Sequence, residues 1–277
     1  MGIGHIDLDL LMRLRRAGHL EQPSSVIEMG AQQLANTFFD DRRLAELASL
    51  FDADKARIPA LGKASSGTPK DLLAGAPLAR GFWEWLGFRY AAIDIDGSPL
   101  SVPLDLNYDA VPKSARGVYD LVTNFGTTEH VANQLNAFKI IHDLANVGGI
   151  MIHHLPTQGM SNHGLVNYNM KFFWMLARSN QYEWLFLDYL DRGNFHGLRQ
   201  DIIDFAAAYS EDFVERAAQI TMSDALILVV FRKASDIEFV PPLDVKTGTK
   251  ASNSTIARRY WTVFGEKPPV RSWLHRS

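Results

Sequence analysis

The chain has 277 residues, 47% of them hydrophobic, with a formal charge of −3 and no cysteine. That length can bury a large core, and the near-neutral balance gives no reason to expect a nucleic-acid or membrane partner. The lack of cysteine excludes a disulfide framework, thiolate metal ligands and a cysteine nucleophile; with no visible signal peptide and no apolar run near the roughly 20 residues that span a bilayer, a cytoplasmic location is expected.

Residues 6 to 20, "IDLDLLMRLRRAGHL", place Leu10, Leu11 and Leu14 on one helical face and Arg13, Arg15 and Arg16 mostly elsewhere, which predicts an amphipathic helix within 1–22. Val26 and Ile27 start a short strand that ends at Glu28 and Gly30, and "AQQLANTFF" after it reads as helix. Residues 38–80 read as an insertion, helical over "DDRRLAELASLF" and looped over "GKASSGTPKD". The aromatic group Phe82, Trp83, Trp85 and Phe88 is of the kind that builds core.

A second strand is expected over 89–97, "RYAAIDIDG", and a third in "LSVPLDLNYD" with its edge near Asp105. "YDLVTNFG" is the fourth. In "VANQLNAFKIIHDLANVGG", Leu135, Phe138, Ile141 and Leu144 recur at helical spacing, with Gly148 and Gly149 where a C-cap is expected. "IMIHHLP" is the fifth strand, "NMKFFWMLARSN" a helix, "YEWLFLDYL" the sixth strand and "DALILVVFRKA" the seventh. Between the last two, 191–222 reads as a helical insertion carrying Ile202, Phe205, Tyr209 and Phe213; residues 234–277 read as an extended, basic arm with a short helix near 254–264. Strands that alternate with helices and are apolar on both faces predict one α/β domain over 1–277, with a mostly parallel seven-stranded sheet covered on both faces.

In open sheets of this kind ligands bind beyond the C-terminal strand ends. Those ends offer Glu28 and Gly30, Asp94 and Asp96, Asp105 and Asn107, the run from Asn124 to His130, and His153 with His154. A carboxylate there can accept two hydrogen bonds from a ribose diol. The first strand lacks G-x-G-x-x-G and the chain lacks a P-loop, so a pyrophosphate has no cradle. Acidic strand ends suit a cofactor bearing a sulfonium and an ammonium instead.

In order and spacing, "VIEMGAQ", "YAAIDIDG", "PLDLNYD", "YDLVTNFGTTEHV" and "LANVGGIMIHHLP" resemble the motifs of class I S-adenosylmethionine-dependent methyltransferases over roughly residues 24–233. The resemblance implies a Rossmann-like fold, S-adenosyl-L-methionine as cofactor and S-adenosyl-L-homocysteine as product. It implies cofactor contacts from Glu28, Gly30, Ala31 and Gln32 in the first motif. It places Asp94, with Asp96 as runner-up, on the ribose, Ile95 beside it, Asp105 and Leu106 by the adenine, and Asn124, Phe125 and Gly126 along the methionine part. The first motif has fewer glycines than the family's, and the gap to the second strand is longer. A non-catalytic, methyltransferase-like binding or partner subunit is therefore the alternative.

Methyl transfer to a hydroxyl needs a proton acceptor, and histidine is the economical choice near neutral pH. The candidates are His154 and His163, then His130 and Glu129 at the mouth of the fourth strand. Neighbouring strand residues point to opposite faces, so at most one of His153 and His154 faces the site. Asn162, Asn167, Tyr168 and Asn169 around His163 would suit a sugar or other polyhydroxylated small molecule. Glu28 also suits a helix cap, and "DIDG" suits a turn. His153, His154, Glu129 and Asp105 are metal-ligand types, yet their spacing matches no compact motif, so no metal is expected. A nicotinamide oxidoreductase lacks its phosphate loop here, and "TNFG" departs from the Asn-Pro-Pro-aromatic pattern of enzymes that methylate DNA amino groups. The basic arm could cover a neighbouring subunit, which leaves a homo-oligomer as an expectation.

Overall fold

The computed structural model describes residues 2–20, 25–35, 38–61, 77–95, 101–191, 194–195 and 224–244. Among them eight strands form one sheet: β1 (Ser25–Met29), β2 (Arg89–Ile93), β3 (Ser101–Val102), β4 (Tyr119–Phe125), β5 (Ala145–Pro156), β6 (Glu183–Asp191), β7 (Asn194–Phe195) and β8 (Ala225–Arg232). Their spatial order is β3-β2-β1-β4-β5-β8-β6-β7. β1 pairs in parallel with both β2 and β4, and β5 continues the parallel set. β8 runs antiparallel between β5 and β6. The seven expected strands are all present, and β7 adds a two-residue antiparallel edge to β6.

The helices are α1 (His5–Arg16), α2 (Asp41–Phe51), α3 (Ile58–Leu61), α4 (Arg80–Trp85), α5 (Gln134–Leu144) and α6 (Met170–Asn180). Strand alternation divides the core in two. Val26, Leu121, Phe125, Ile150, Ile152, Leu228 and Val230 face α1, α2 and α4. Ile27, Val122, Met151, Leu155, Val229 and Phe231 face α5 and α6. All five β1 residues are buried, as a central strand covered on both faces must be. Phe82, Trp83, Trp85 and Phe88 are buried, which makes that aromatic group core. Each such side chain contributes about 1.5–3 kcal/mol by leaving water. Together the elements form the expected Rossmann-like α/β sheet. No helix among the described residues is long and apolar enough to cross a membrane.

Several local expectations are corrected. Residues 31–35 form no helix. Leu34 N–H donates to Pro77 O, Ala35 N–H to Ile3 O and Ile3 N–H to Gln33 O, all at 2.8–2.9 Å. The segment is threaded between the N-terminus and residues 77–79, and its backbone groups are satisfied there instead of along a helix. β2 stops at Ile93, so Asp94 lies just past it. β3 keeps only two residues, and Asp105 sits in a turn beyond it: its carboxylate accepts Asn107 N–H at 2.8 Å and its own N–H donates to Asp109 Oδ2. Helix α5 ends at Leu144, with Ala145 already extended at φ −67° and ψ 132°. Gly148 and Gly149 therefore fall inside β5. Gly148 N–H bonds Lys233 O and Lys233 N–H bonds Gly149 O, which fixes the irregular start of that strand. Leu135, placed by spacing on the apolar face, is 51% exposed. Asp96, residues 62–76, the helix expected within 191–222 and the arm beyond residue 244 lie outside the described residues.

Candidate active site

Strand order reverses between β1 and β4, because β1 leads outward to β2 while β4 leads to β5. Ligands of doubly wound sheets sit in the crevice outside such a switch point, and the loops after β1 and β4 meet there. Gly30 follows β1 at φ +80°, and a Cβ on it would stand 2.7 Å from Thr127 Oγ1. Thr127 Oγ1 in turn donates to Met29 O, and Gln32 Nε2 donates to Thr127 Oγ1 at 3.2 Å. The one glycine of this loop is thus needed where the β4 loop crosses it. Gly30→Ala is expected to cost about 1–3 kcal/mol through left-handed strain and this contact, read as a lower denaturation midpoint in urea.

Glu28, the fourth residue of β1, is fully buried. Its Oε1 accepts Trp83 Nε1–H at 2.7 Å, and its Oε2 accepts Tyr90 O–H at 2.8 Å and Gln32 N–H at 3.0 Å. Burial pushes its carboxyl up to about 7, against the pull of those three donors. Glu28 thereby ties the loop after β1 to β2 and α4 from below. Asp94, past the end of β2, accepts Ala31 N–H on Oδ2 at 2.9 Å, so it brackets the same loop from the side. Ile95 beside it is 80% exposed. Leu106 is buried next to the Asp105 turn, and Asn136 at the start of α5 donates to Leu106 O and Asp109 O at 2.9 and 2.8 Å.

At the end of β4 the side chains alternate. Asn124 is buried on the α5 face: Nδ2 donates to Thr128 Oγ1 at 2.9 Å and lies 3.3 Å from His153 Nδ1, and Oδ1 accepts Thr128 N–H at 3.2 Å. Tyr168 O–H reaches the same Thr128 Oγ1 at 2.9 Å. His153 packs among Phe138, Phe173 and Phe231, and burial lowers its pKa to about 3, so it is neutral. This network fixes the turn Thr128–His130 that follows β4. Phe125 and Gly126 are also buried, with Gly126 at φ +75° turning the chain into that loop.

His154 lies on the opposite face, as strand alternation requires. Its Nδ1 stands 2.9 Å from Asp7 Oδ1 on α1, and its Nε2 is buried with no hydrogen-bond partner among the described residues. Asp7 is 1% exposed, and its Oδ2 accepts Gly4 N–H at 2.8 Å. In a neutral imidazole, donation from Nδ1 to this carboxylate leaves Nε2 as an acceptor. Asp7 was missed by the sequence reading because an acid in a first helical turn is ordinary capping chemistry. A signal was available: Asp7 precedes Leu10, Leu11 and Leu14 by three, four and seven residues, which sets an acid on the apolar face.

Glu129 and His130 occupy the turn after β4, and His163 comes from the loop after β5. Glu129 is fully buried, and burial raises its carboxyl above the usual range. His163 Nε2 lies 3.6 Å and His130 Nε2 3.9 Å from Glu129 Oε1. Burial also lowers the pKa of His130. The asparagines around His163 separate: Asn169 caps α6 by accepting Phe172 N–H at 2.9 Å, and Asn162 and Asn167 are exposed. Tyr168 is used in the Thr128 network.

A family model described as a methyltransferase domain matches residues 8–197, well over half of the chain. No curated protein matches it. Among solved structures, a SAM-dependent methyltransferase from Archaeoglobus fulgidus is 12% identical with a TM-score of 0.39, covering 82% of this chain and 94% of that one. The 1,6-didemethyltoxoflavin-N1-methyltransferase of Burkholderia thailandensis, with S-adenosylhomocysteine bound, is 13% identical with a TM-score of 0.40, covering 81% and 78%. The O-methyltransferase of a trans-AT PKS multienzyme from Brevibacillus brevis, also with S-adenosyl-L-homocysteine, is 11% identical with a TM-score of 0.41, covering 92% and 76%. At these scores the likenesses add no argument to the family match.

Proposed function

The chain belongs to the methyltransferase-domain family, and from that premise we propose that it transfers the methyl group of S-adenosylmethionine to a hydroxyl of a small polyhydroxylated acceptor, with His154 as general base. The observation that carries the base is the buried Asp7–His154 pair, with Nδ1 held at 2.9 Å and Nε2 left without a partner.

The residues around the switch point fit the cofactor. Gly30 lets the loop after β1 approach a ligand without a side chain, and Ala31 and Gln32 continue that loop with their N–H groups held by Asp94 and Glu28; Asp94 supplies a carboxylate for ribose hydroxyls, and Ile95, Asp105 and Leu106 border an adenine. Gly126 gives clearance by the methionine part, while Glu28, Asn124 and Phe125 act from beneath. Bound S-adenosylmethionine supplies an electrophilic methyl carbon on a sulfonium. His154 Nε2 would take the acceptor hydroxyl proton as the methyl passes from sulfur to that oxygen and S-adenosylhomocysteine leaves, and Asp7 would hold the ring's tautomer and offset the charge that forms on it. Glu129, His130 and His163 stand on the acceptor side of the β4 end. The protein's other contribution is alignment and exclusion of water.

Calorimetric titration with S-adenosylmethionine and S-adenosylhomocysteine, beside NAD, tests the cofactor first. Micromolar binding of both sulfur compounds is expected, weakened about 5- to 150-fold in Asp94→Ala, the effect of losing about 1–3 kcal/mol of charge-assisted contact. Radiolabelled methyl transfer over a panel of sugars and other polyols then identifies the acceptor. Failure of both sulfur compounds to bind would leave the non-catalytic partner subunit, the reading to which a one-glycine loop points.

A further inference from the structure

We propose that Glu129, His130 and His163 hold a divalent first-row transition-metal ion, with zinc preferred over magnesium, at the acceptor side of the β4 end.

One ligand atom from each of the three residues lies within 4.8 Å of the others. Donors around one zinc ion stand about 2.0–2.2 Å from it, so they stand roughly 3–4 Å from one another. Two of the distances, 3.6 and 3.9 Å, already fall there. Both exceed a hydrogen bond, so the imidazoles and the carboxylate lie close together without bonding to each other. The third pair, His130 and His163, lies within 4.8 Å, and their side chains, 51% and 31% exposed, have room to adjust.

The second observation concerns Glu129. Its side chain is completely buried, and neither carboxylate oxygen has a hydrogen-bond partner among the described residues; the buried His163 Nε2 also has none. An ionised buried carboxylate without a hydrogen-bond partner is costly, and a bound cation would offset that cost. The backbone is built to bring these groups together. Leu165 N–H and Val166 N–H both donate to Glu129 O, at 2.8 and 3.1 Å. Gly164 packs so closely that a Cβ there would stand 2.8 Å from Glu129 Cγ. The loop after β5 is thus clamped onto the turn after β4 with His163 at the carboxylate.

Two imidazoles and one carboxylate are a borderline donor set that favours zinc-like ions over magnesium, which prefers all-oxygen shells. Three protein ligands leave a coordination position open. In the methyl-transfer reading, on which this last step rests, that position takes the acceptor oxygen and eases loss of its proton; ion binding itself does not depend on that reading.

The test uses the full chain without a polyhistidine tag, stripped with chelator and titrated with Zn²⁺, then Co²⁺, in the absence of cofactor. One equivalent of Zn²⁺ is expected, with Mg²⁺ at least 100-fold weaker and a visible Co²⁺ absorption band. His163→Asn and Glu129→Gln should each weaken Zn²⁺ at least tenfold. His163→Asn changes a part-exposed loop residue, so its result stands even if Glu129→Gln fails to fold. No stoichiometric Zn²⁺ binding by the folded chain, or unchanged affinity in His163→Asn, overturns the site. A parallel S-adenosylhomocysteine titration separates that failure from failure of the methyltransferase reading.

Discussion

His154→Gln is expected to lower kcat for methyl transfer by about 10²–10⁴-fold, the usual worth of a positioned general base, with S-adenosylhomocysteine affinity unchanged. The substitution leaves a planar polar side chain against Asp7 and removes the proton acceptor at Nε2. His154 is in β5, which β4 separates from β1 and β2, so cofactor binding at Gly30 and Asp94 should not follow the loss. Asp7→Asn should act in the same direction with a smaller loss, because it keeps the 2.9 Å contact but withdraws the charge opposite the imidazolium. With the acceptor from the polyol screen, single-turnover rates measure both. A kcat within threefold of the parent in His154→Gln would assign the proton to another group.

Glu28→Ala is expected to destabilise the fold by about 3 kcal/mol or more, since three donors, Trp83 Nε1–H, Tyr90 O–H and Gln32 N–H, lose their acceptor inside the core. Urea denaturation measures it. The same carboxyl makes stability depend on pH. Burial holds it at about 7, above its ordinary 4.5. The folded state therefore binds the proton more tightly than the unfolded state between those values. Stability from this group is greatest below about pH 4.5, falls as pH rises to about 7 and then levels off. At about 1.4 kcal/mol per unit, the change is on the order of 3 kcal/mol. Subtracting the Glu28→Gln profile isolates it from other groups. A difference that stays flat between pH 5 and 8 would mean that the three donors outweigh burial and keep Glu28 charged throughout.

Glu28 and Asp94 illustrate how far the linear chain carries. Their positions at strand ends were legible, because each strand is a local apolar run whose period and terminating residues are written in sequence. What their oxygens touch was not legible. Trp83 lies 55 residues from Glu28, and Ala31 lies 63 from Asp94. The aromatic run around Trp83 was readable as core, but not as the donor that fills Glu28. The segment after β1 departs from its helical spacing for a related reason: the backbone partners that residues 3 and 77 offer it outweigh that spacing.

The sequence by itself determined the α/β class, the strands and their order along the chain, and the acids and histidines that end them. These follow from apolar periodicity and from turn residues acting over a few neighbours. Only the tertiary structure decided which side chains those ends bring together. Asp7 meets His154 across 147 residues, and His163 meets Glu129 because the β5 loop is clamped on the β4 turn. Spacing therefore suggested no metal ligand set, and only the fold brings Glu129, His130 and His163 within 4.8 Å of one another. Contacts of that range depend on how α1 and the loops pack over the finished sheet, and no local pattern records that packing.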